Sequence, residues 1–224
     1  MATVIFDVET VGVDFEKMDE TSQDYFLRFA KTDQEKAEAK DSTSFFPLTA
    51  EVVAIGMLEA ETEKGFVFYQ NGEMFPSKQV EGDITYVSGS EKEILSQFWG
   101  QLKNYSLVVT FNGRVFDCPF LMLRSAMNKV RPSRNLMPYR YGFKEHVDLA
   151  DQLTFYDAMR RKFGLHMWCR SFGIPSPKEG GVDGLQVKGM FKEGKYLEIA
   201  RYCLGDIRAT KQLYSYWDKY LKFM

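Results

Sequence analysis

The run Thr3-Val4-Ile5-Phe6 is short and β-branched, shows no helical period, and leads straight into Asp7-Val8-Glu9. A run of this kind reads as a buried strand over Thr3–Val8. Side chains two apart on a strand share a face. The spacing therefore sets the carboxylates of Asp7 and Glu9 side by side at the strand end. Such a pair repels and is costly to desolvate unless a cation or a proton lies between its members. The fold must either open this strand end to water or bring it to a cation, and spacing alone allows both.

The other apolar runs are equally short. Glu51–Glu61 and Gly65–Gln70 read as a hairpin, Ile84–Val87 as a short strand, Leu107–Phe111 as a buried strand and Val147–Leu149 as a brief one. Ser90 with Glu93 forms a capping box ahead of Ile94, Leu95, Phe98 and Leu102 at helical spacing. Further helices are expected from Asp117 to about Asn128, with Phe120, Leu121, Leu123 and Met127 as the apolar face. Others are expected at Ala150–Phe155, Leu165–Phe172 and from Tyr196 to Leu221, with Gly173–Gly184 as loop. Strands interleaved with helices suggest an α/β domain with a mixed sheet. The 224 residues suit one domain spanning the chain, with an insertion at about 11–48 that is polar and partly helical.

Composition narrows the class. Hydrophobic residues are 45% and charged residues 27%, which argues against a wholly disordered chain. No apolar run approaches the ~20 residues of a membrane helix, and Asp7 and Glu9 interrupt the N-terminal run too early for a signal peptide. Three widely spaced cysteines, Cys118, Cys169 and Cys203, fit neither a disulfide framework nor a paired-cysteine zinc site. A soluble, cytoplasmic protein is expected. A net charge of −2 excludes a histone-like blanket on nucleic acid, yet the charge is uneven. Residues 7–41 hold eleven acids and five bases, whereas residues 129–178 hold ten bases and four acids. The basic stretch suits phosphate contacts, or simply the solvated faces of helices.

Two further segments carry candidate chemistry. Asn112-Gly113-Arg114-Val115-Phe116-Asp117 follows the strand at Leu107–Phe111, and Asp117 before Cys118-Pro119 suits a helix N-cap, a role compatible with lending an oxygen to a metal. Tyr202 and Asp206 stand one turn apart on the last helix, either as a core tyrosine and a surface aspartate or as a functional pair. Asp7, Glu9, Asp117 and Asp206 together would supply four carboxylates to hard divalent cations. Two such cations ~4 Å apart suit phosphodiester hydrolysis, one activating the attacking water and the other steadying the leaving oxygen. A tyrosine with an ordinary pKa near 10 is better fitted to orient that water than to deprotonate it.

In order, Val4-Ile5-Phe6-Asp7-Val8-Glu9-Thr10, Thr110-Phe111-Asn112-Gly113-Arg114-Val115-Phe116-Asp117 and Tyr202-Cys203-Leu204-Gly205-Asp206 resemble the three motifs of the DEDDy 3′–5′ exonucleases. The likeness extends to the stand-alone exonucleases related to the proofreading domain of family B DNA polymerases, through Val52–Gly56, His146–Leu149 and Gly173–Lys178. The resemblance implies a ribonuclease-H-like α/β fold, a mixed five-stranded sheet flanked by helices. It implies Asp7, Glu9, Asp117 and Asp206 as ligands of two divalent cations, Mg²⁺ or Mn²⁺, with Tyr202 as the water-orienting residue. It places Thr10, Asn112 and Phe116 near the terminal nucleotides of a single-stranded 3′ end, DNA in preference to RNA. His146 is expected to be structural. A non-catalytic nucleic-acid-binding module of this fold and a phosphodiesterase of short oligonucleotides are the alternatives. Lys178 and Asp183 lie in a loop able to approach the site.

Overall fold

The computed structural model describes residues 2–72, 76–177 and 186–223. Its elements run β1 (Thr3–Gly12), α1 (Glu20–Leu27), α2 (Asp33–Asp41), β2 (Ala50–Glu59), β3 (Gly65–Gln70), β4 (Lys78–Glu81), β5 (Ile84–Gly89) and α3 (Glu91–Leu102), then β6 (Leu107–Thr110), α4 (Asp117–Met127) and β7 (His146–Asp148), and finally α5 (Leu149–Leu153), α6 (Leu165–Phe172), α7 (Val187–Lys192) and α8 (Tyr196–Tyr220).

The strands form one mixed sheet in the order β4-β5-β3-β2-β1-β6-β7. β1 is antiparallel to β2 and parallel to β6, and β2 is antiparallel to β3. Among the described residues the sheet has seven strands rather than the five expected. Five of them, β3-β2-β1-β6-β7, run in sequence to the β7 edge, and β5 pairs in parallel with the other side of β3, carrying β4 beyond it. β4 gave no sequence signal because its side chains bury almost nothing. Glu81 on β4 receives the Arg201 guanidinium of α8, which ties this added edge to the last helix.

The sheet divides two cores. Ile5 and Val11 of β1 pack with Ala54, Cys203, Leu204, Ile207 and Leu213 on the α8 side. Val4, Phe6 and Val8 pack with α3 and α4, against Phe98, Trp99, Phe120 and Leu121. On α4 the buried face is Cys118, Phe120, Leu121 and Ser125, while Leu123 and Met127 are exposed, contrary to expectation. The Ser90–Glu93 capping box is present in both directions.

β1 is longer than its sequence suggests. It continues past Val8 to Gly12 because β2 keeps pairing with it as far as Gly12↔Ala50. Asp7 and Glu9 therefore sit mid-strand. Pairing with β6 stops at Ile5↔Val109, so the acids lie where one neighbour has ended and the other continues.

The segment between β1 and β2 holds α1 and α2, neither of which buries a residue. Asp19 caps α1, and Thr32 with Glu35 forms a capping box on α2. The segment is fastened to the sheet by Thr10 Oγ1 donating to the Ser44 carbonyl at 2.8 Å and by the Val13 amide donating to Thr49 at 2.8 Å. Gly12 lies against the backbone of Thr43 and Ser44 so closely that a Cβ would not fit. Lys178 and Asp183, in a loop able to approach the site but expected to be plain loop polarity, lie outside the described residues. No helix among the described residues is long and apolar enough to cross a membrane.

Candidate active site

The site is built where β1 parts from β6. The Asp7 and Glu9 carboxylates face α8, opposite Gly56 and Ala54 of β2. These small partners leave room above the strands. At Gly56 a Cβ would run into Ile207 Cδ1 and come within 3.1 Å of Cys203 Sγ, so glycine is what lets α8 lie against the sheet here. A β-bulge follows at Glu9/Thr10, leaving Val53 of β2 as the extra residue. Cys203 is buried, its thiol 3.5 Å from the Asp7 carbonyl. Ligand atoms of Asp7, Glu9 and Cys203 lie within 4.8 Å of one another, an arrangement able to hold a metal ion.

Asp117 enters from the other helix. It is the first residue of α4, and Phe116 occupies the N-cap position without a side-chain bond. The expected capping role is thus not taken up. Instead Asp117 Oδ1 accepts the amide of Val8 at 3.0 Å, in the place β6 has vacated.

The loop that delivers Asp117 is held by a residue whose role the sequence left open. Asp148 accepts the amides of Asn112 and Arg114, both at 2.8 Å, and of Ala150 at 3.0 Å. Asn112 has a φ of 61°, a left-handed conformation that asparagine tolerates. Gly113 packs on Thr110 with no room for a Cβ. His146 is buried between Thr110 Oγ1 at 2.8 Å and the Leu136 carbonyl at 3.0 Å. A carbonyl only accepts, so Nδ1 carries the proton and Nε2 accepts from Thr110. Burial, with the charge of Arg114 nearby, pushes the imidazole down to about 4, so it is neutral and structural. The Arg114 guanidinium donates to the carbonyls of Pro138 and Tyr139 and lies 3.9 Å from the Asp151 carboxylate.

The electrostatics tie the motif residues together. Burial, then the charges of Asp117, Asp206 and Glu9, pushes the Asp7 carboxyl well above its ordinary value. Burial, then Asp206 and Asp117, does the same to Glu9. Burial pushes Asp117 up to about 7, assisted by Asp148 and Asp206 and opposed by the amides that hydrogen-bond its charged form. Tyr202, half-buried on α8, has its phenol raised far above its usual range by burial, then by the charges of Asp206 and Glu9 and by its hydrogen bond to Asp206. Asp7, Glu9, Asp117, Tyr202 and Asp206 are therefore close enough to perturb one another. The other three candidates stand differently. Thr10 alternates onto the face opposite the acids and is bonded to Ser44, Asn112 is half-buried in the loop, and Phe116 rests on Phe120 at 5.2 Å between ring centroids.

A mixed sheet crossed by α8 at its central strand is the ribonuclease-H-like class of fold. Over 97% of the chain it matches the structure of the family B DNA polymerase from the hyperthermophilic archaeon Pyrobaculum calidifontis, with a TM-score of 0.61 at 18% identity, and covers 24% of that protein. A DNA polymerase of Desulfurococcus sp. (strain Tok) is 29% identical over 149 residues, which are 58% of this chain and 19% of the polymerase. The chain thus spans about a quarter or less of either relative. Residues 43–221 match the family model of predicted 3′–5′ exonucleases related to the exonuclease domain of PolB, and the chain belongs to that family.

Proposed function

We propose that this chain is a metal-dependent 3′–5′ exonuclease that removes nucleoside monophosphates from single-stranded 3′ ends, with DNA the favoured polymer. The observation that carries the reading is the convergence of Asp7, Glu9, Asp117 and Asp206 at a buried strand junction, where burial and the charges of neighbouring acids push the carboxyls of Asp7, Glu9 and Asp117 above their ordinary values. Four ionised carboxylates at such a spot are costly in water-poor surroundings, and divalent cations would remove that cost. Carboxylate oxygens suit Mg²⁺ or Mn²⁺, and Asp7, Glu9, Asp117 and Asp206 are the residues that would hold two such ions. When bound, cations of this kind acidify a water and stabilise charge on the leaving oxygen.

The protein's own groups do the rest. Tyr202 stays a neutral phenol at any working pH, so it orients a water or a phosphate oxygen by hydrogen bonding and does not act as a base. Asp148 fixes the loop from Asn112 to Arg114 that leads into Asp117. Asn112 and Phe116 are assigned to the terminal nucleotides, whereas Thr10, on the face opposite the acids and bonded to Ser44, is left out of that set. We read the whole chain as one domain. The family match begins at residue 43 although β1 is an interior strand of the sheet, which supports reading the segment between them as an insertion. Chromatography of the products of a single-stranded oligonucleotide in Mg²⁺ tests the reading. Nucleoside monophosphates from the first turnover are expected, and internal fragments would count against it.

A further inference from the structure

The basic stretch that the proposed chemistry leaves unused carries a row of aromatic rings. Tyr139 and Tyr141 are 76% and 55% exposed, their centroids 5.6 Å apart, and Tyr141 lies 4.8 Å from Tyr156. Phe155 beside Tyr156 is 57% exposed. Phe155, Tyr156 and Asp157 all have left-handed φ values, of 51°, 55° and 70°, a run that L residues avoid. It is held by the Tyr156 amide donating to the Asp151 carbonyl at 2.7 Å and by Gln152 Nε2 donating to Tyr156 Oη at 2.7 Å. A conformation sustained in this way, and turning rings toward water, marks a surface with a use.

Charge indicates what the surface takes. Its acids are already matched. Arg140 reaches Asp151 at 2.6 Å and Asp157 at 2.9 Å, and Lys162 reaches Asp157 at 2.9 Å. Arg160 and Arg161, four and five residues beyond Tyr156, are exposed, and Arg161 lies over the Phe163 ring at 5.3 Å. The surface adjoins the loop that leads into Asp117. Arg114, three residues before Asp117, donates to the carbonyls of Pro138 and Tyr139, and a cleft of about 210 Å³ runs from Asn112 to Thr154 and Asp157.

We propose that Tyr139, Tyr141 and Tyr156, with Arg160 and Arg161, form a track on which the single strand upstream of its 3′ end stacks its bases and rests its phosphates. The proposal rests on the exonuclease reading for its direction, but not for its binding chemistry. Aromatic rings stack any base, and exposed arginines meet the backbone, so the track is expected to be sequence-tolerant.

The test is fluorescence anisotropy of labelled oligo(dT) of 4 and 16 nucleotides, in EDTA so that no strand is cut. The wild-type chain is expected to bind the 16-mer at least about 10-fold more tightly than the 4-mer. The Tyr139→Ala/Tyr141→Ala variant is expected to bring that ratio close to one, with an unchanged melting temperature as evidence that it folds. The Arg160→Glu/Arg161→Glu variant is expected to flatten the dependence of log K on log salt by about two. A 16-mer affinity that is the same in the tyrosine variant and the wild type overturns the track, as does a wild-type chain indifferent to length. Failure of the exonuclease reading looks different, with no strand shortened in Mg²⁺ while the tyrosine-dependent length effect persists.

Discussion

The carboxylate of Asp117 accepts the backbone amide of Val8 at 3.0 Å, across the gap where β1 has lost β6 as a partner. A group from α4 thereby completes the hydrogen bonding of the central strand and joins the Asp7–Glu9 cluster at the same time. The two roles can be separated by substitution. Asp117→Asn keeps an oxygen for Val8 but loses the charge. It is expected to fold and to melt a few degrees higher than wild type without metal, since repulsion is relieved, and to lose activity by about 100-fold or more. Asp117→Ala leaves the amide unpaired and is expected to cost about 1–3 kcal/mol. Melting curves in EDTA beside hydrolysis rates decide both.

The pH dependence of the metal-free protein has a calculable sign. Asp7, Glu9 and Asp117 have folded-state pKa values above their ordinary ones, Asp117 at about 7 against 3.8. Between about pH 4 and 7 the folded chain therefore binds more protons than the unfolded chain, and stability falls as pH rises through that window. His146 runs the opposite way. Its folded value of about 4 lies below the ordinary 6.5, so its contribution is complete above pH 6.5 and is lost as pH falls toward 4. Three carboxyls outweigh one imidazole. Urea unfolding in EDTA is expected to give lower stability at pH 7.5 than at 5.5, by about 1 kcal/mol or more, and saturating Mg²⁺ is expected to reverse the order. A rise in stability with pH in EDTA would remove the argument for crowded carboxylates.

Gly56 sets how near α8 comes to the acids. Gly56→Val places methyl groups against Ile207 and Cys203, so the helix must move out. A loss of about 1–3 kcal/mol is expected from the overpacking. A displaced Tyr202 and Asp206 should lower the turnover number by 10-fold or more in molecules that remain folded, since small displacements of reacting groups are costly. Turnover at wild-type level in a destabilised variant would show that α8 does not need this approach.

Much of the framework can be read in the sequence, for local reasons. The Ser90–Glu93 box, the helix at Leu165–Phe172 and the hairpin of β2 and β3 depend on caps and periodicity within a few residues. The features that escape are tertiary. β1 outruns Val8 because β2 accompanies it, a pairing 40 residues away in sequence. β4 is polar and exposed, so no hydrophobic pattern announces it. Asp148 sits in a legible segment, yet two of its three amide contacts depend on a loop some 35 residues earlier. The acids of all three motifs are visible as residues, whereas the use of Asp117 on Val8 rather than on its own helix arises only from the parting of two strands.

In the proposed function Tyr202 is assigned to orientation because burial, and then its acidic neighbours, hold it neutral. Tyr202→Phe is expected to retain the melting-temperature gain that Mg²⁺ gives the wild type while slowing turnover about 10- to 100-fold. The rate–pH profile should keep its shape, since no tyrosine ionisation contributes to it. Loss of the Mg²⁺ effect in this variant would move Tyr202 into the metal-holding set.

The most direct test of the central claim is a time course on a 5′-labelled single-stranded DNA, with RNA of the same sequence alongside, in Mg²⁺, Mn²⁺ or EDTA, for the wild type and for Asp7→Ala. A ladder that shortens from the 3′ end, requires the cation and vanishes in a folded Asp7→Ala protein is the predicted result. Equal cleavage by wild type and a folded Asp7→Ala, or no shortening of either polymer in any metal, would contradict the assignment of these carboxylates to exonuclease chemistry.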